Sequence, residues 1–66
     1  MTKITNKISG EVHIVHDNIY VGLFGNSVLG ISGRVYPIEL VIRDFKVENG
    51  SNICEYITNL DDVNHQ

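Results

Sequence analysis

The sequence predicts a small, mainly β protein of the α+β class: an antiparallel β-meander of four to five strands with one short C-terminal helix. Nine Ile and eight Val dominate its apolar residues, and alanine is absent. Stiff β-branched side chains suit a pleated sheet and lower helix propensity. Residues 11–32 alternate strand-like runs with turn residues, whereas the apolar residues of 53–63 recur at helical spacing.

Three runs in the first half of the chain, EVHIVH, IYVGLF and SVLGIS, are typical of strands. They are separated by Asp17-Asn18 and Gly25-Asn26. Asn, Asp and Gly tolerate a left-handed backbone, so both pairs suit two-residue hairpin loops. The resulting register places Ile14 opposite Val21.

The next segment, RVYPIELVIRDFKV at 34–47, follows a turn predicted at Gly33. Pro37 marks an edge position or a break, because proline cannot donate to a sheet ladder. Beyond it, apolar and other residues alternate through 38–43, which predicts a further strand with a kink near Asp44. The N-terminal KITNKIS gives a weak signal for one more short strand.

The C-terminal helix is predicted from Ile53 to Asp62. Asn52 followed three residues later by Glu55 resembles a capping box. The β-branched content makes this segment a poor autonomous helix, so tertiary packing is expected to stabilise it.

Sixty-six residues form one domain, 1–66, with no room for a second core. A folded chain of this size buries only about 60% of its unfolded surface. Cys54 is the only cysteine, which excludes an intrachain disulfide, and no CxxC framework for zinc is present. We therefore expect association with another chain to supplement the small core.

Five Lys and Arg against eight Asp and Glu give a net charge of −3. Nucleic-acid binders usually carry a basic face, so nucleic acid is disfavoured as a partner. No apolar run resembles a signal peptide or a membrane span, which predicts no membrane association. A lone thiol without an export signal favours the cytoplasm.

The stretch GLFGNSVLGISG at 22–33 resembles a phosphate-binding loop in the outer spacing of its glycines. Ile31 stands where such a loop needs lysine, and no helix is predicted to follow. We interpret these glycines as structural: turns at Gly25 and Gly33, and close approach within the sheet at Gly22 and Gly30. No cofactor is predicted.

Neither a metal site nor catalysis is indicated. His13 and His16 fall on opposite faces of one strand, so they are interpreted as surface or turn histidines, and a zinc site needs three or four convergent ligands. No GxSxG elbow or recognisable Cys-His arrangement is present. Cys54 is predicted to be a small buried apolar group. We expect no enzyme, no catalytic residues and no metal.

Strand alternation groups four large apolar side chains on one face, which is the candidate protein interface: Tyr20, Phe24, Leu29 and Ile31. In the alternative arrangement these residues are core, and the opposite face meets a partner: Val12, Ile14, Val21 and Leu23. Periodicity shows which residues share a face but not what covers it.

The function predicted is a non-enzymatic interaction module, a homodimer or larger homo-oligomer, that regulates or inhibits a larger protein. Chains of this size and charge include regulators carried by phages and other mobile elements. The alternative is a small-ligand or nucleotide-binding protein whose anion site lies at a subunit interface and uses Arg34, Arg43 or Lys46.

Overall fold

The computed structural model describes residues 1–64, with side chains through Leu60. It contains six strands and two helices: β1 (Thr2–Asn6), β2 (Val12–Val15), β3 (Tyr20–Gly22), β4 (Gly25–Leu29), β5 (Val35–Pro37), α1 (Ile38–Asp44), β6 (Phe45–Glu48) and α2 (Ser51–Asn64). The strands form two antiparallel three-stranded sheets. The predicted mainly β, α+β class is confirmed, with one more strand and one more helix than expected. Neither helix in this part of the chain has the length and apolarity to cross a bilayer.

The first sheet has the order β2-β1-β6. Its central strand is β1, the segment with the weakest strand signal in the sequence. Ile4 pairs with His13 on one side and with Val47 on the other, and its side chain is fully buried. The N-terminal strand is therefore a core element, because both of its edges are hydrogen-bonded and its apolar residue faces the interior.

The second sheet has the order β3-β4-β5. Gly22 pairs with Gly25, so the two-residue loop of the β3–β4 hairpin is Leu23-Phe24. The turn predicted at Gly25-Asn26 is thus wrong by two residues. The left-handed backbone falls at Gly25, where φ is +82°, directly after the loop. The turn predicted at Gly33, with φ of +94°, is confirmed.

The hairpin predicted between the first and second runs, through Asp17-Asn18, is also wrong. β2 pairs with β1 on one edge, and on the other it meets the end of β4 through a bridge between Val15 and Gly30. The N–H of Ile31 donates to the carbonyl of Ile14, which joins the two sheets. Since both edges of β2 are occupied, Ile14 does not lie opposite Val21.

The strand predicted at 38–43 is instead the short helix α1. Pro37 occupies the N-cap position with φ −57° and ψ 140°, and the helix begins at the next residue. Ile38 and Val41, three residues apart, share the buried face of the helix. Packing of Ile38 and Val41 in the core therefore outweighs the strand preference of the β-branched residues in this segment.

Both sheets and both helices contribute to one hydrophobic core. Its buried members are Ile4, Val15, Val28, Tyr36, Ile38, Val41 and Ile53. Five partly buried apolar residues pack around them: Ile19, Phe45, Val47, Tyr56 and Ile57. This small core is consistent with the limited burial expected for so short a chain.

The predicted C-terminal helix is confirmed as α2. Its N-terminus is capped by Asp17, whose carboxylate accepts hydrogen bonds from the N–H groups of Asn52 and Ile53, each at 3.0 Å. The expected local capping box is thus replaced by an acid from the β2–β3 connection. Cys54 is exposed, so its predicted burial is wrong.

Candidate interaction surface

The β3–β4 hairpin exposes three large apolar side chains, which we call the hairpin tip: Val21, Leu23 and Phe24. Their exposed fractions are 82% for Val21, 94% for Leu23 and 69% for Phe24. The hairpin lies within a charge-free stretch, since residues 18–33 contain no Asp, Glu, Lys or Arg. Adjacent exposed apolar groups without interspersed charge are typical of an interaction site rather than of a solvated loop.

A groove of about 280 Å³ lies beside the hairpin tip. The hairpin, the β5–α1 junction and α2 form its walls, with the lining residues Phe24, Gly25, Asn26, Pro37, Ile38, Glu39, Ile42, Tyr56 and Leu60. The side-chain amide of Asn26 donates a hydrogen bond to the hydroxyl of Tyr56, which ties the hairpin to α2. The groove is thus built from both sheet and helices, and Phe24 belongs to the groove and to the hairpin tip.

Three of the four residues predicted as the interface lie at opposite ends of β4, and the fourth lies beside its middle. Phe24 lies in the hairpin loop, whereas Leu29 ends β4 and Ile31 follows it. Tyr20 is half-buried and pairs with Ser27 in the middle of β4. At about 3.3 Å per residue, the five residues of β4 span roughly 13 Å. Phe24 is therefore separated from Leu29 and Ile31, and the four-residue interface stays a prediction.

Sequence reasoning assigned Val21 and Leu23 to the face opposite Phe24. The structure brings all three to one hairpin end because the turn falls at Leu23-Phe24. The sequence signal for this turn is GLFG at 22–25, in which two glycines bracket two apolar residues. Val12 and Ile14, the other members of the alternative face, lie in the first sheet.

The three cationic residues of the alternative anion site lie on separate elements. Arg34 precedes β5, with its guanidinium carbon 5.7 Å from the ring centroid of Tyr36. Arg43 lies in the last turn of α1 and donates to both carboxylate oxygens of Asp44, at 3.0 and 3.1 Å. Lys46 is exposed on β6. None of the three cations lines the groove, and the anion site stays a prediction.

The Arg43–Asp44 pair shifts both pKa values while remaining at the surface. The hydrogen bonds with Asp44 raise the pKa of Arg43 above its ordinary value. Those same hydrogen bonds hold the pKa of Asp44 below the usual range of a carboxyl group. Because the pair is solvated, we interpret it as a local contact that occupies Arg43 rather than as a reactive site.

A polar chain of three side chains, those of Glu11, His13 and Tyr36, connects the two sheets. The Nε2 atom of His13 lies 3.0 Å from a carboxylate oxygen of Glu11, and its Nδ1 atom lies 3.0 Å from the hydroxyl of Tyr36. The rings of His13 and Phe45 meet edge to face at a centroid distance of 5.9 Å. Only 18% of the His13 side chain is exposed, so the prediction of a surface histidine is wrong.

This polar chain does not form a metal centre in the part of the chain that the structure describes. No group of three or more His, Cys, Asp or Glu side chains suited to hold a metal ion occurs among those residues. Tyr36 is 7% exposed and its hydroxyl is occupied by His13. We therefore interpret this polar chain as structural, because it joins β2 in the first sheet to β5 in the second.

The hairpin tip and its groove are thus the surface best suited to recognise another molecule. Their chemistry is contact with apolar groups, framed by the polar atoms of Asn26, Glu39 and Tyr56 at the groove. Comparison with protein-family models, curated proteins and solved structures found no match to this chain.

Proposed function

We propose that this chain is a small, acidic, non-enzymatic protein-interaction module that forms homo-oligomers and modulates a larger protein. One observation carries the proposal: Val21, Leu23 and Phe24 are 82%, 94% and 69% exposed on one uncharged hairpin. Water-exposed apolar groups of this size on a single hairpin are stabilised when another protein covers them.

The energetics favour an interface that extends beyond the hairpin tip. Full burial of one Val, Leu or Phe side chain contributes about 1.5–3 kcal/mol. Burial of all three tip residues therefore contributes at most on the order of 5–9 kcal/mol. Association itself costs about 4–15 kcal/mol in lost motional freedom. We infer that the groove beside the tip takes part in binding, because the tip alone hardly offsets this cost.

The biological class of the proposal rests on size and charge. A 66-residue chain with a net charge of −3 fits an accessory regulator or inhibitor, including those of phages and mobile elements. We propose the cytoplasm as its compartment, since its single cysteine, Cys54, is exposed and unpaired thiols persist under reducing conditions.

Sedimentation velocity of the purified chain and of Phe24→Asp tests the proposal. We expect the wild-type chain to self-associate with rising concentration and the variant to remain monomeric, with an unchanged circular dichroism spectrum. Ile8→Asp is the matched control, because Ile8 is 96% exposed on the β1–β2 connection, which joins two strands of the other sheet. Equal association of wild type and Phe24→Asp would contradict the proposed surface.

The partner protein is tested by placing a photo-crosslinking amino acid at position 24 or, as control, at position 8. We expect irradiation to yield protein adducts from position 24 and none from position 8. Adducts of twice the chain mass identify self-association, whereas larger adducts identify a different protein. Absence of every adduct from position 24 would contradict an interaction module at this surface.

A further inference from the structure

We infer that the hairpin tip of one copy docks into the groove of a second copy, and that the second copy's tip docks reciprocally. This inference rests on the proposed function and specifies its partner and geometry. It starts from a juxtaposition: the protruding Leu23 is the chain neighbour of Phe24, which itself lines the groove. A protrusion and a depression therefore lie side by side on one surface of the molecule.

That arrangement is self-complementary under two-fold symmetry. In a two-fold interface the same patch is used on both subunits, so residue i contacts residue j and residue j contacts residue i. A two-fold axis passing between tip and groove places each Leu23 against the groove of the other copy. The assembly then closes as a dimer, since no tip or groove remains free to recruit a third chain.

The distribution of charge favours a second copy as the occupant. Two chains with a net charge of −3 repel one another unless their contact surfaces lack acidic groups. The hairpin lies in the uncharged stretch 18–33, and among the side chains described, those through Leu60, Glu39 is the one carboxylate that lines the groove. The tip and groove thus let two acidic chains meet with little like-charge contact.

The area is compatible with a stable dimer. A standard interface buries about 800 Å² on each partner, which is less than a fifth of the 4546 Å² accessible surface of this chain. Reciprocal docking uses each contact twice, so the tip residues and the exposed groove residue Ile42 are all covered on both copies. Reciprocal docking thus makes each copy bury both its tip and its groove.

Complementary charge substitution tests the docking. Leu23→Glu places a carboxylate on the tip, and Ile42→Lys places an ammonium group in the groove, both at exposed positions that tolerate polar side chains. We expect each variant alone to be monomeric in sedimentation velocity, because a charge then enters both apolar contacts. We expect an equimolar mixture to dimerise: one contact pairs the introduced charges, and the other retains the wild-type Leu23 and Ile42.

A second mixture controls for nonspecific charge attraction. Ile8→Glu with Ile42→Lys carries the same charges, but Ile8 lies on the β1–β2 connection. Ile8→Glu keeps its tip and groove and is expected to dimerise with itself, so the control result is that it forms no mixed dimer with Ile42→Lys. Dimers formed by Leu23→Glu alone or by Ile42→Lys alone would overturn tip-in-groove docking. So would a failure of the first mixture to dimerise.

The inference and the proposed function fail in different ways. If Phe24→Asp abolishes association but the Leu23→Glu and Ile42→Lys mixture gives no dimer, the module stands and this docking geometry is wrong. If the wild-type chain is monomeric and position 24 crosslinks only to a different protein, self-docking is wrong and the module stands. If the wild-type chain self-associates and Phe24→Asp leaves that association unchanged, both are wrong.

Discussion

The carboxylate of Asp17 accepts a hydrogen bond from the backbone N–H of Ile53, 36 residues further along the chain, at 3.0 Å. The side chain of Asn52 returns the contact by donating to the carbonyl of Asp17, also at 3.0 Å. The β2–β3 connection thereby becomes the N-terminal cap of α2. This contact anchors the helix that forms one wall of the groove.

Replacing the capping acid should destabilise the fold without unfolding it. Asp17→Ala removes the acceptor for two backbone N–H groups of α2, and loss of an N-cap costs about 1 kcal/mol in the free energy of unfolding. Urea denaturation measures this loss. Glu55→Ala is the control, since it removes the same charge from an exposed position of the same helix and is expected to change stability by less than about 0.5 kcal/mol. Equal effects would contradict the capping role.

The same acid should make stability depend on pH in the acid range. Burial raises the pKa of Asp17, but the hydrogen bonds from Asn52 and Ile53 outweigh it, so its folded-state pKa is lowered. An unfolded Asp has a pKa of about 3.9. The contribution of Asp17 is therefore fully present above that value and is lost as the pH falls through the lower folded-state pKa.

Stability measured in urea across this pH range should fall less steeply for Asp17→Asn than for the wild type. Some slope should remain, because Asp44 also has a lowered folded-state pKa through its hydrogen bonds with Arg43. Identical slopes for the wild type and Asp17→Asn would contradict the assignment.

Gly50 should not tolerate a side chain. A Cβ at this position would lie 2.6 Å from Cγ2 of Thr2 and 3.0 Å from Cγ1 of Val47. Thr2 is fully buried and has no room to retreat. We expect Gly50→Ala to destabilise the protein by about 1–3 kcal/mol, the usual range for overpacking. Thermal and urea unfolding measure this loss.

A second variant tests the cause of that loss. Thr2→Ser deletes the clashing methyl group, so Gly50→Ala should be less harmful in the Thr2→Ser background than in the wild type. A Gly50→Ala protein as stable as the wild type would show that Thr2 and Gly50 are not in close contact.

The side chains of His13 and Tyr36, which meet between the two sheets, should be energetically coupled. His13→Phe leaves the hydroxyl of the buried Tyr36 without its partner, at a cost of about 1–3 kcal/mol. Tyr36→Phe in the same background removes the orphaned hydroxyl, so the double variant should lose less than the two single losses combined. Urea denaturation of all four proteins gives the coupling, and strict additivity would contradict it. Glu11→Gln, at the solvated end, is expected to cost less than about 1 kcal/mol.

Local patterns predicted the fold class and the C-terminal helix because β-branched composition and helical spacing are visible in short stretches of sequence. They failed where a distant partner decides the structure. Ile4 lies in a weakly patterned strand that becomes central only because β2 and β6 pair with it. Asp17 is a residue type that favours turns, yet its carboxylate caps the N-terminus of α2.

The candidate surface was predicted in part. Phe24 was identified from its aromatic side chain and its neighbours, whereas Leu23 was assigned to the opposite face because the hairpin turn was placed two residues too late. Consecutive strand residues point to opposite faces, but Leu23 and Phe24 form the two-residue loop, where that alternation does not apply. The groove depends on α1, whose alternating apolar pattern predicts a strand and whose helical form follows from the packing of Ile38 and Val41.

Native mass spectrometry of the gently purified chain tests the central claim, a self-associating interaction module, most directly. We expect a bare dimer of two 7.4 kDa chains, which Phe24→Asp converts to a monomer. A bare monomer at every concentration would contradict self-association. A retained mass matching a nucleotide or another small anion would contradict the interaction module and move the function to Arg34, Arg43 or Lys46.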